Sequence, residues 1–109
     1  MAITYKVLGQ ANPSATTLTA VYTVPSATSA VISTVTVCNR SSTATTFRLS
    51  VAVAGASDSN EQYIAYDAPL DSNEVYTFTL GITLAETDVV RIYVNDATVS
   101  CNVFGEEIV

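Results

Sequence analysis

The sequence predicts an all-β fold: an antiparallel β-sandwich of about eight strands, jelly-roll or Ig-like. Three observations predict it. Sixteen of the 109 residues are threonine, and with the valines and isoleucines around them they favour extended backbone. Apolar residues recur at every second position in segment after segment. No segment places apolar residues at the spacing that the face of a helix requires.

The elements follow in order. Ile3–Leu8 reads as a short first strand with Ile3, Tyr5 and Val7 on one side. Thr16–Val24 aligns Leu18, Ala20, Tyr22 and Val24, and Pro25 ends it. Ala30–Cys38 aligns Val31, Val35 and Val37. Thr45–Ala54 has the clearest alternation, with Phe47, Leu49, Val51 and Val53 on one face and Arg48, Ser50, Ala52 and Ala54 on the other. Gln62–Tyr66 is short, and either Tyr63 and Ala65 or Ile64 and Tyr66 point inward. Val75–Leu80 aligns Tyr76, Phe78 and Leu80, and Val89–Val94 aligns Val90, Ile92 and Val94. Thr98–Phe104 aligns Val99, Cys101 and Val103. Segments rich in Gly, Pro, Asn, Asp and Ser separate these strands, as turns require.

The length suits one domain over 1–109, able to bury roughly two-thirds of its unfolded surface. Mean hydropathy is +0.36, but no apolar run approaches the roughly 18 residues of a membrane span. Met1–Lys6 lacks a basic stretch followed by an apolar one, so synthesis in a cytoplasm without export is the expectation. Cys38 and Cys101 have no metal-binding spacing and read as small buried hydrophobes. They fall on opposite strand faces if the register is regular, so no disulfide is expected.

Charge is lopsided. Lys6, Arg40 and Arg48 precede the first carboxylate, Asp58, and all ten carboxylates follow with a single base, Arg91. The net charge of −6 argues against nucleic acid as a partner. Successive turns of an antiparallel fold alternate between its two ends. Asp58, Glu61, Glu86 and Asp88 are therefore expected at one end, and Asp67, Asp71 and Asp96 at the other, near Arg40. The tetrapeptide Asp-Ser-Asn-Glu occurs at 58–61 and again at 71–74. It reads as turn chemistry. Calcium is the sharper alternative, but the spacing fits no EF-hand loop.

No catalytic, cofactor-binding or metal-ligating residue can be named. Histidine is absent, which removes the commonest general base. There is no nucleophile motif and no phosphate-cradling glycine loop. A glycosidase would use paired carboxylates, but would also need a cleft with aromatic platforms, and the chain has no tryptophan. The expectation is a protein that is not an enzyme and needs no cofactor.

Residues 5–10 (Tyr-Lys-Val-Leu-Gly-Gln), 16–18, 22–25, 35–40, 44–48, 63–67, 80–84 and the closing Phe104-Gly105-Glu106-Glu107-Ile108 carry a resemblance. Over nearly its whole length the chain resembles a family of short all-β structural proteins of tailed bacteriophages, notably phages of cyanobacteria and other aquatic bacteria. The resemblance implies a virion component made in the host cytoplasm, with other virion proteins as partners. The leading expectation is a capsid decoration (cement) protein bound to the major capsid protein. A neck, baseplate or tail-fibre accessory protein is the alternative, and a host-glycan binding module a further one. A homo-oligomer is expected, a trimer first, with no membrane partner.

Overall fold

The computed structural model describes Met1–Val109. Nine strands form: β1 (Ile3–Ala11), β2 (Thr19–Thr23), β3 (Ser29–Asn39), β4 (Thr45–Ala52), β5 (Tyr63–Leu70), β6 (Val75–Phe78), β7 (Ile82–Leu84), β8 (Val89–Val94) and β9 (Val99–Ile108). Two single-turn 3-10 segments, Val53–Gly55 and Asn60–Gln62, lie between β4 and β5. One sheet has the order β1-β9-β3-β6, with β7 also paired to β3, and the other has the order β2-β8-β4-β5. All pairings are antiparallel.

β6 and β7 pair with opposite halves of β3, so they are one strand broken around Gly81, whose φ is +65°. Counted so, eight strands form two four-stranded sheets, and β4–β5 is the one consecutive pair within a sheet. That is the order of a jelly roll. An Ig-like sandwich would keep its first two strands in one sheet, and here β1 and β2 lie in different ones.

The core lies between the sheets. Ile32, Val35, Val37, Val99, Cys101 and Val103 meet Tyr22, Val24, Phe47, Leu49, Val90, Ile92 and Val94. The period-two reading placed most of these correctly, and its errors fall at strand ends and at bulges, where one extra residue reverses the parity beyond it. In β3 the register slips between Ile32 and Thr34, so Ile32, not Val31, joins Val35 and Val37 inside. In β2 it slips at Val21, which leaves Ala20 outward while Tyr22 and Val24 are buried. Val53, expected inward, is exposed because β4 ends at Ala52 and Ala54 turns at φ +53°. Leu80 is exposed beside the break at Gly81.

The loop ends are tied by buried polar groups. At one end Asn39 donates from Nδ2 to the carbonyls of Thr43 and Asp71, and its Oδ1 accepts from the Ser41 N–H and the Thr98 hydroxyl. At the other end the buried Asp88 accepts from the N–H groups of Ala54 (2.8 Å) and Ala85 (2.9 Å), joining two loops. The two Asp-Ser-Asn-Glu segments both serve as turns, each differently. In 71–74 the Glu74 N–H closes on the Asp71 carbonyl, with Asn73 at φ +54°. In 58–61 the Asp58 carboxylate accepts from the Tyr63 hydroxyl, and Ser59 donates to Glu61. Asp67 departs from its expected place at a loop end. It sits within β5, paired with Arg48.

Candidate functional site

The surface offers two built features, and the first is the open edge at β1. One side of β1 is paired with β9 from Ile3↔Ile108 to Val7↔Phe104. Its other side has no strand partner. Two close approaches explain why β1 bends as it does. A side chain at Gly9 would place a Cβ 2.3 Å from the Val21 carbonyl oxygen, so only glycine lets β1 pass under β2 there. A Cβ at Gly105 would lie 2.1 Å from the Val31 carbonyl oxygen, beside the β3 bulge.

Beneath this edge a carboxylate pins β1 to both sheets. Glu107 on β9 accepts from the Tyr22 hydroxyl of β2 at 2.7 Å and pairs with the Lys6 ammonium of β1 at 2.7 Å. The Lys6 ammonium first, and the Tyr22 hydroxyl second, hold the Glu107 carboxyl below the usual carboxylate range. Burial, together with the same carboxylate, pushes the Tyr22 phenol above its ordinary value.

Above the edge the sheet surface is uncovered and mostly apolar, with the Glu106 carboxylate in its middle. Ile3, Tyr5 and Val7 are 46%, 80% and 49% exposed on one side of β1. The register sets Ile108, Glu106 and Phe104 beside them on β9, with Val31 of β3 next to Glu106. Tyr5, Val31, Ser33 and Phe104 help to line a shallow depression of about 290 Å³. Long, apolar, unpaired edges are rare on proteins that act alone, because they template pairing with another chain.

The second feature lies on the outer face of the other sheet. Two bulges in β5 assemble it. Leu49 is opposite Ala65 and Ser50 opposite Tyr63, so Ile64 is extra. Phe47 is opposite Ala68, so Tyr66 and Asp67 together face Arg48. Asp67 takes φ +49°, which a short polar side chain tolerates better than most. Tyr63, Tyr66 and Asp67 thus share the face of Arg48, and Ala65 points to the core. The guanidinium stacks over Tyr66 at 4.1 Å and Tyr93 at 4.6 Å, and donates from Nε to Asp67 at 2.7 Å. Tyr63 packs edge-on against Tyr66 at 5.0 Å. Arg91 completes the face by donating to the carbonyls of Gly55 and Ala56, which holds the 53–62 segment over Ser50 and Ala52. Arg48 and Asp67 satisfy each other's charge, and the cluster locks β5 to its sheet.

Cys38 and Cys101 are free thiols on opposite faces. Val37, not Cys38, is the register partner of Cys101. Burial pushes the Cys101 thiol up to about 12, so it stays protonated and inert.

Alternation placed Ile3, Tyr5 and Val7 together, and both terminal segments, Ile3–Leu8 and Thr98–Phe104, read as edge strands; β1 is an edge, but β9 lies between β1 and β3 and has none free. The Arg48 cluster was invisible, because both bulges that build it depend on pairing with β4. Asp67 followed by Ala-Pro was the available signal: a residue tolerant of positive φ beside a proline suited only to an edge strand. No protein-family model, curated protein or solved structure matches this chain.

Proposed function

We propose that this chain is a non-enzymatic structural component of a tailed-phage virion, most directly a capsid decoration, or cement, protein. The observation that carries the reading is the open β1 edge with its exposed row of Ile3, Tyr5 and Val7. Such an edge and face gain stability when a neighbour covers them, and repeated assembly supplies a neighbour for every copy. The resemblance of nearly the whole sequence to short phage structural proteins points the same way. A jelly roll serves viral shells, but it serves lectins and cupins too, so architecture alone does not separate these roles.

In this role the protein is made in the host cytoplasm, assembles with copies of itself, and docks on the major capsid protein. Quantitative mass spectrometry of purified particles is expected to find hundreds of copies. A dozen or fewer would end the decoration reading, and cryo-EM density on the tail would move the protein to the neck, baseplate or fibre.

One observation favours a second reading, a host-glycan binding module. Tyr66 stands exposed beside Asp67 and Arg48, and sugar-binding surfaces combine aromatic rings with carboxylates. A glycan array with no hits would remove this reading.

A further inference from the structure

We propose that the β1 edge binds the β1 edge of a second copy of this chain, antiparallel and about a two-fold axis, to make one continuous eight-stranded sheet. The proposal goes beyond the virion reading, because it concerns the purified protein alone.

Hydrogen-bond parity supports it. The Ala2 N–H donates to the Val109 carbonyl at 3.1 Å, and the Val109 N–H donates to the Ala2 carbonyl at 2.9 Å. Ala2 and Val109 are therefore a mutually bonded pair. Every second pair along an antiparallel ladder repeats this arrangement. Thr4↔Glu107 and Lys6↔Gly105 are the next two such pairs in the register. Ile3, Tyr5 and Val7, between them, direct their N–H and C=O groups away from β9. The residues with free backbone groups are thus the ones that carry the exposed apolar side chains.

That pattern is self-complementary in one register. With Tyr5 opposite Tyr5 of the second copy, Ile3 lies opposite Val7 and Val7 opposite Ile3. The three mutually bonded pairs make about six new hydrogen bonds. Lys6 then faces Thr4 of the second copy. On the outer face Ile108, Ile3, Val7 of the second copy and its Phe104 form one apolar row across the junction, and symmetry repeats the row. Shifting the pairing by two residues one way sets Lys6 directly against Lys6, which is unfavourable. Shifting it the other way sets Val7 against Met1 and shortens the paired stretch. Beyond Val7 the strand bulges and Gly9 passes under Val21, so the docking stretch ends there.

The contact is small. Five residues from each strand bury less than the roughly 800 Å² per partner of a standard interface, so the dimer is weak and fills in at high concentration. Sedimentation velocity from micromolar to millimolar protein tests it. The expected result is a monomer–dimer equilibrium. Tyr5→Glu places like charges at the centre, with Glu106 beside each of them, and is expected to weaken dimerisation at least about tenfold. Tyr5→Pro removes an outward N–H and no bond to β9, and is expected to do the same while circular dichroism shows an intact fold. A wild-type monomer at every concentration would overturn the proposal, and so would a dimer indifferent to both substitutions. Copy number in virions is a separate readout, so failure of either idea leaves the other standing.

Discussion

Ser50 buries its hydroxyl without a hydrogen-bond partner, under the segment that Arg91 holds in place. An unsatisfied buried hydroxyl is a net cost, so Ser50→Ala is expected to stabilise the protein by about 1 kcal/mol in urea unfolding. Glu107 behaves in the opposite sense, since both carboxylate oxygens are engaged. Its carboxyl lies lower in the folded chain than in the unfolded one. The unfolded state therefore binds the proton first as pH drops, and the stability Glu107 contributes is present above the ordinary carboxylate value of about 4.3. It is lost as pH falls from there through the folded value. Urea titrations at pH 7 and pH 3 are expected to show a smaller acid loss in Glu107→Gln than in the wild type. An unchanged loss would mean that other carboxylates control acid stability.

Bulges govern the elements. Gly105 occupies the point where β9 crosses the β3 bulge, with no room for a Cβ. Gly105→Ala is expected to cost about 3 kcal/mol, because the obstacle is backbone and cannot swing aside. Thermal melts would check it. Alternation in the sequence located every strand region but β7, because period two is a local property of the chain, whereas the three residues Ile82–Leu84 are held extended only by pairing with β3. The Thr45–Ala54 stretch, read as one half-buried strand, is one, and in the fold it ends at Ala52. Parity past Ser33, Val21, Ile64 and Tyr66 was not legible, because a bulge is defined by what the partner strand does. The last turn of the pattern was missed for a related reason. Gly105, Glu106 and Glu107 are poor strand formers, yet β1 on one side and β3 on the other hold them extended to Ile108.

At the scale of the whole molecule, the charge asymmetry of the sequence dissolves. Asp71 and Asp96 lie at one end of the jelly roll, Asp58, Glu86 and Asp88 at the other, and Asp67 and Glu107 are matched with bases. On the strand edge that lacks a partner, Lys6 is already paired to Glu107, and Glu106 beside Tyr5 is the one unpaired side-chain charge. Binding through that edge should depend on backbone hydrogen bonds and apolar contact, not on long-range charge. Dimer dissociation is accordingly expected to change little from low salt to 1 M in sedimentation velocity, where screening would loosen a contact made by acidic loops.

Amide hydrogen exchange along β1, followed by NMR at micromolar and at millimolar protein, tests the open edge most directly. Thr4 and Lys6 are expected to exchange slowly at both concentrations, because their N–H groups already serve β9. Ile3, Tyr5 and Val7 are expected to exchange fast when dilute and slowly when concentrated. Fast exchange at those three residues at every concentration, or no alternation along the strand, would contradict the account.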